Sequence, residues 1–216
     1  METRAKQGES LARSAFLLAL DPRKERLTQR GELGLLLRAA ALAELLLAGN
    51  LADESGRARA LTAPAAEPGS LRAVVWEQIA SSPPRSWRRW VRKDKGKAVG
   101  VVRDELAAAR MISVERRRVL LFPVERITAR KAYLSRRLAE RVGRAVRGGG
   151  PVGRLDEDVR VLAALAAAAR LRTVVPSRRE ARPRRDRIRQ LSAPVEPIVT
   201  ALRRSVDEAR SASAAG

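Results

Sequence analysis

Residues 33–51 read LGLLLRAAALAELLLAGNL and are apolar on nearly every face of a helix. A helix of this kind lies either at the centre of a bundle or across a membrane. Arg38 and Glu44 interrupt the run, and neither uncharged segment reaches the ~20 residues that a hydrocarbon core requires. Gly49 and Asn50 tolerate the left-handed conformation of a helix C-cap. We therefore predict a buried central helix that ends at Gly49 and brings Arg38 to a surface.

The composition indicates a helical protein without the usual catalytic side chains. The chain has 216 residues, 45% of them apolar but only 3% aromatic, so Leu, Val and Ala must form the core. There is no cysteine and no histidine, which excludes thiol nucleophiles, the usual general base and the commonest zinc ligand. We expect a mostly α fold, a single compact helical domain (1–210) around the buried central helix with one or two short β-hairpins, and a disordered tail (211–216). We expect no enzymatic activity, cofactor or metal.

The positive charge is concentrated in the second part of the chain. The formal net charge is +21, from 45 basic and 24 acidic residues. Residues 1–80 hold 11 of the basic and 10 of the acidic residues, which leaves 34 basic and 14 acidic residues for 81–216. Residues 81–100 alone carry seven basic residues and one acid. Such an imbalance indicates an anionic partner, either a membrane surface or a nucleic acid.

Periodic apolar residues predict further helices around the central one. They cover residues 9–20, 70–81, 86–91, 99–110, 128–147, 156–172, 178–191 and 194–210. One hairpin is predicted over 51–61. A second has strands at 111–114 and 119–122, a charged tip at 115–118, and Pro123 closing its second strand.

Other motifs leave more than one interpretation open. Trp87 and Trp90 suit either a lipid interface or the core. The glycine-rich segment 148–153 (GGGPVG) lacks the Gly-Lys-Ser/Thr ending of a phosphate loop and is interpreted as a hinge. The arginine-rich run 178–189 is a solvated face or a surface for phosphates of lipid or nucleic acid.

The order of these elements resembles the Golgi phosphoprotein 3-like family, in its bacterial branch. The resemblance extends over residues 11–202. It rests on LLLRAAALAELLLAGNL, on RDEL (103–106) followed by ERRRVLLFPV (115–124), and on RDRIRQL (185–191). It implies a compact, mostly helical domain that binds membranes peripherally. In eukaryotic members it recognises phosphatidylinositol 4-phosphate and acts as an adaptor for Golgi glycosyltransferases.

The resemblance also implies site residues. Arg38 falls on the family's basic position in the central helix, whereas Gln29 stands where the family has a tryptophan. The nearest candidates for two further phosphate-binding positions are Lys95, Lys97 and Arg103. The family's hairpin contacts membranes and promotes self-association, a role that would fall on Val119, Leu120, Leu121 and Phe122.

Two functions follow as expectations. The first is a peripheral adaptor that binds anionic headgroups such as phosphatidylinositol 4-phosphate on the cytoplasmic, inner face of a membrane. It would have a membrane-protein client and form a homo-oligomer through the 111–122 hairpin. The alternative is a nucleic-acid-binding protein that uses the basic 81–216 surface and the Arg-tipped hairpin, although no helix carries clustered base-reading side chains.

Overall fold

Helices of the computed structural model surround one long central helix. The structure describes residues 10–21, 26–119, 122–148, 150–174 and 185–214, without the side chains of 116–119 and 122–124. The helices are α1 (Leu11–Ala19), α2 (Arg30–Leu47), α3 (Leu71–Ala80), α4 (Trp87–Arg92), α5 (Lys95–Ala108), α6 (Ala132–Arg147), α7 (Glu157–Ala168), α8 (Arg185–Ser192) and α9 (Glu196–Ala214). The strands are β1 (Leu20–Asp21), β2 (Arg26–Leu27), β3 (Leu51–Glu54), β4 (Arg57–Ala60), β5 (Arg85–Ser86), β6 (Ile112–Val119) and β7 (Phe122–Ala129).

Helix α2 is the central helix that the apolar run predicts. It packs against α1, α3, α4, α5, α7 and α9, and its leucines, including Leu37, Leu42 and Leu45, are fully buried. The helix ends as predicted, with Gly49 at a φ of +71° and the Asn50 N–H donating to the Leu45 carbonyl at 2.9 Å. The prediction of a mostly α fold with short hairpins is confirmed. In the described part of the chain, no helix has the length and apolarity needed to cross a membrane.

The first predicted hairpin is present as β3 and β4. Ser55 and Gly56, at its turn, both have positive φ, as the tightest hairpin turns require. Strand β5, which sequence periodicity did not indicate, adds a third antiparallel strand beside β4.

The second hairpin is longer than predicted, and its charged residues lie elsewhere. Residues 115–118 belong to β6 and pair with 123–126 of β7, so the prediction of an arginine-bearing tip is wrong. Pro123 lies within β7 opposite Arg118 instead of ending the strand. A proline is tolerated there because each strand of a two-stranded hairpin has one free edge. The last described pair of the hairpin is Val119 with Phe122, and residues 120–121 lie outside the described ones.

Several helix boundaries also differ from the prediction. Helix α5 begins at Lys95, four residues before the predicted start at 99. Helix α6 begins at Ala132, since 128–129 complete β7. The described part of the predicted 178–191 helix is α8, and 178–184 lie outside the described residues. Helix α9 continues to Ala214, beyond the predicted end at 210, and the single domain spanning 1–210 stays a prediction.

Three side chains, Ser10, Trp87 and Trp90, have their roles decided by how the helices pack. Ser10 occupies the N-cap of α1, but its hydroxyl donates to Glu44 at 3.2 Å instead of capping the helix. Trp87 and Trp90 are buried in the core, with 2% and 1% of their surface exposed. A lipid interface for these two rings is therefore excluded in this structure.

Candidate functional site

Arg38 lies inside the protein, although the sequence predicted it at a surface. Only 1% of its area is exposed, because α3, α4 and α5 cover this side of α2. Its Nε donates to the Trp90 carbonyl at 3.0 Å, and its Nη1 donates to Gln78 Oε1 at 2.9 Å. Its Nη2 is also buried but has no hydrogen-bond partner in the described structure. A charged donor is therefore held in a fixed position with one N–H group unused.

Arg38 keeps its positive charge at neutral pH. Burial lowers the pKa of Arg38 to about 10, while the carboxylate of Asp94 acts in the opposite direction. A pKa near 10 still leaves the guanidinium protonated at pH 7. The central helix thus carries a charge into a poorly solvated region, where its field is weakly screened.

Asp94 joins this buried charge to the protein surface. Its Oδ2 accepts a hydrogen bond of 3.1 Å from Gln78 Nε2, so Arg38, Gln78 and Asp94 form a chain. Asp94 also occupies the N-cap of α5 with a left-handed backbone, but its side chain makes no capping hydrogen bond. The first N–H groups of α5 are therefore left without a side-chain cap, as in helix ends that bind anions.

Three exposed lysines surround this helix end, and we call Lys93, Lys95 and Lys97 the lysine rim. The ammonium groups of Lys93 and Lys97 lie 3.9 and 3.7 Å from the Asp94 carboxylate. One carboxylate therefore faces these lysines and the buried guanidinium, and the cluster keeps a clear positive excess.

Gly34 explains why the lysine rim lies next to α2. A Cβ on Gly34 would lie 1.9 Å from the Lys95 carbonyl oxygen, so the two backbones are in direct contact. Gly34 is one helical turn before Arg38, and both therefore face the same side of α2. Lys95 therefore lies beside the part of α2 that carries Arg38, and Lys97 lies 3.7 Å from Asp94 in the same cluster. That these residues bind a phosphate, as the family resemblance implies, stays a prediction.

Arg103 does not join them. It lies eight residues, or roughly 12 Å, further along α5 than Lys95. Its Nη1 is 2.8 Å from Glu125 of β7, and its Nε donates to Asp104 at 2.8 Å. The hydrogen bond to Asp104, aided by the charge of Glu125, raises the pKa of Arg103 above its ordinary value. Arg103 therefore links α5 to the long hairpin.

The remaining predicted positions lie apart from the lysine rim. Val119 and Phe122 form the last described pair of the long hairpin, and Leu120 and Leu121 lie outside the described residues. Gln29, which replaces the family's tryptophan, donates to the Arg170 carbonyl at 3.1 Å and accepts from the Arg172 N–H at 2.9 Å. It joins the start of α2 to the segment that follows α7.

Sequence reasoning missed Gln78 and Asp94 as members of the site. Asp94 carried a detectable signal, since it is the one acid among seven basic residues in 81–100. Gln78 carried none, because nothing in an amphipathic helix indicates that one glutamine will meet a buried arginine. Within the described residues, no group of three or more acidic side chains gathers where it could hold a metal ion.

The family of the chain follows from a comparison with known families. The model described as Golgi phosphoprotein 3 (GPP34) matches residues 11–209. Because the match covers most of the chain, the protein belongs to this family. A search of curated proteins found no match. The family is one of lipid-binding adaptors, not of enzymes.

Proposed function

We propose that this protein binds anionic lipid headgroups at a membrane surface through the lysine rim, with Arg38 beneath it. Phosphatidylinositol 4-phosphate is the first headgroup to test, because the family resemblance implies it. The protein would act as a peripheral adaptor on the inner, cytoplasmic face of a membrane and recruit a membrane-protein client.

One arrangement supports this proposal. Arg38 is buried and protonated, and its Nη2 has no hydrogen-bond partner in the described structure. It lies behind the start of α5, which has no side-chain cap and is surrounded by the exposed lysine rim. Burying a charge is costly, and a protein gains nothing in stability from a donor without a partner. A phosphate at the start of α5 would be stabilised by the lysines, by the helix dipole and by the field of Arg38. A small displacement of Gln78 would also let the guanidinium take part in a charge-assisted hydrogen bond.

The long hairpin supports a second contact with the membrane or with another copy of the chain. Its base packs against α5 and β2. The eight residue pairs, at ~3.3 Å each, place the last described pair, Val119 and Phe122, about 25 Å along the strands. The sequence there is VLLF. We propose that these residues enter the lipid interface or pair with a second hairpin.

The test is co-sedimentation with vesicles that are neutral, generally anionic, or doped with phosphatidylinositol 4-phosphate at equal total charge. Each lysine near an anionic surface contributes about 1 kcal/mol. Lys95→Gln/Lys97→Gln should therefore weaken binding to doped vesicles by about 30-fold. Arg136→Gln/Arg137→Gln removes the same charge from exposed positions on α6 and should have a much smaller effect. Arg38→Gln, checked for folding by circular dichroism, should abolish the preference for doped over generally anionic vesicles.

Two results of this experiment would contradict the proposal. If both double variants lose the same affinity, binding reflects net charge and the proposed site is wrong. If duplex DNA at low concentration removes the protein from every vesicle, the nucleic-acid interpretation replaces this one. No observation in the structure now favours nucleic acid specifically, because the arginines of the long hairpin lie along a strand and not at its tip.

A further inference from the structure

A second positively charged cleft lies between α6, α7 and α8. It has a volume of about 500 Å³, within the range of small-molecule sites. Four arginines line it, and we call Arg141, Arg144, Arg154 and Arg187 the arginine cleft. Two motifs that the lipid-binding proposal leaves unused meet here: the glycine-rich segment contributes Gly148 and Gly150, and the 185–191 segment contributes Arg187.

Arg187 is fixed in place by the backbone of its neighbours. Its Nε donates to the Ala145 carbonyl in the last turn of α6 at 2.6 Å, and its Nη1 donates to the Gly150 carbonyl at 2.9 Å. A cation is favoured at the negative end of a helix dipole. Since an arginine has five N–H donors, these two bonds orient the side chain and leave others for a ligand.

The other arginines leave a positive excess. Arg141 forms an ion pair with Asp156, the acid that lines the cleft. Arg144 and Arg154 are exposed and have no ion-pair or hydrogen-bond partner among the described side chains. The four guanidinium groups share the cleft with the carboxylate of Asp156, and Asp158 lies near Arg141. The positive charges still exceed the negative ones, so a bound anion would be stabilised. Planar guanidinium groups bind phosphate oxygens in pairs, which favours phosphate over a simple monovalent anion.

We propose that the arginine cleft binds a small phosphate-bearing ligand, with Arg144, Arg154 and Arg187 contacting the phosphate oxygens. The ligand is either a free phosphate compound or the headgroup of a phospholipid, because both present the same group. The cleft does not include the lysine rim, which lies at the start of α5 beside α2. This second site can therefore be tested independently of the proposed lipid site.

The first experiment is isothermal titration of the full chain with inorganic pyrophosphate at low salt. We expect a saturable binding step that is weakened about tenfold or more in Arg144→Gln/Arg154→Gln. Arg136→Gln/Arg137→Gln removes equal charge from α6 outside the cleft and should bind as the wild type does. Equal weakening in both variants, or heats that never saturate, would overturn the proposal.

A second arm identifies the source of the phosphate. Vesicles doped with phosphatidylinositol 4-phosphate are co-sedimented with the Lys95→Gln/Lys97→Gln variant, in the presence and absence of saturating pyrophosphate. If pyrophosphate releases residual vesicle binding, the cleft takes a lipid headgroup; if binding is unchanged, it takes a free phosphate compound. Pyrophosphate titration of this same variant should match the wild type. Loss of pyrophosphate binding there would place the ligand at the lysine rim and refute a separate cleft.

Discussion

Glu44 shows how one charged residue is accommodated in the apolar run. Its Oε1 lies 2.8 Å from Arg72, and its Oε2 accepts hydrogen bonds of 3.2 Å from the Ser10 hydroxyl and the Leu11 N–H. Glu44 therefore ties α2 to α3 and to the start of α1. Burial nevertheless raises the pKa of Glu44, although Arg72, Ser10 and the Leu11 N–H lower it in part. Desolvation of the carboxylate is the larger effect.

This shift predicts a pH dependence of stability. The pKa of Glu44 is higher in the folded chain than its ordinary value of 4.5. Between the two values the folded chain binds more protons than the unfolded chain, so the free energy of unfolding falls as pH rises through that interval. We expect the stability of the wild type relative to Glu44→Gln to decrease as pH rises from 4.5 through the higher folded-state pKa of Glu44. Urea denaturation across this range measures the difference.

A matched control separates burial from loss of charge. Glu67→Gln removes the same charge from a side chain that is 81% exposed. A difference between wild type and Glu44→Gln that stays constant, or increases with pH, would contradict the prediction.

At the scale of the element, the contact between α2 and α5 decides where the site forms. The backbones meet because residue 34 has no side chain, and a Cβ there would lie 2.7 Å from the Lys95 carbonyl carbon as well as 1.9 Å from its oxygen. Backbone atoms cannot move aside as a flexible side chain can. The glycine costs helix stability, but it allows the start of α5 to lie beside Arg38.

Gly34→Ala should therefore destabilise the protein even though alanine favours helices by about 1 kcal/mol over glycine. Overpacking of this kind costs roughly 1–3 kcal/mol, and the displaced start of α5 should also weaken vesicle binding. Thermal denaturation measures the first effect and co-sedimentation the second. Gly31→Ala lies in the same helix with nothing within 4 Å of its added Cβ. It should leave stability unchanged or raise it, and equal destabilisation by both substitutions would show that the contact does not matter.

At the scale of the whole molecule, we expect positive charge and the apolar residues of the long hairpin to make different contributions to the proposed membrane binding. Residues 81–216 supply 34 of the 45 basic residues. The lysine rim and the arginine cleft both lie in this part of the chain. Attraction between exposed charges and an anionic surface weakens as salt shortens the Debye length. Apolar insertion does not depend on salt in this way.

Vesicle binding by the wild type should therefore fall with salt to a plateau instead of to zero. Leu121→Ser should lower that plateau about tenfold, since full burial of a leucine contributes roughly 1.5–3 kcal/mol. Leu61, 45% exposed in the loop after β4, offers the matched substitution Leu61→Ser, which should leave the plateau unchanged. Co-sedimentation at stepwise salt concentrations measures both. A wild type that dissociates completely at high salt would remove the hairpin from the membrane contact.

The sequence by itself determined the helical class of the protein, the central helix and its end at Gly49. An unbroken apolar face can only be buried, and Gly-Asn stops a helix through local backbone preferences. Family membership could also be recognised, because the order of motifs is a property of the chain. Local pattern was enough for the β3–β4 hairpin as well.

Only the tertiary structure decided the composition of the site. Arg38 was expected at a surface, but neighbours distant in sequence bury it against Trp90 and Gln78. The register of the long hairpin is set by contacts between its two strands and not by the composition of either one. Composition alone therefore placed the charged residues 115–118 at the tip, whereas they pair with 123–126. The arginine cleft joins residues from α6, α8 and the connection between α6 and α7. No periodicity in the sequence predicts that these residues lie together. Local propensity acts within a few residues, whereas these contacts depend on how complete helices pack together.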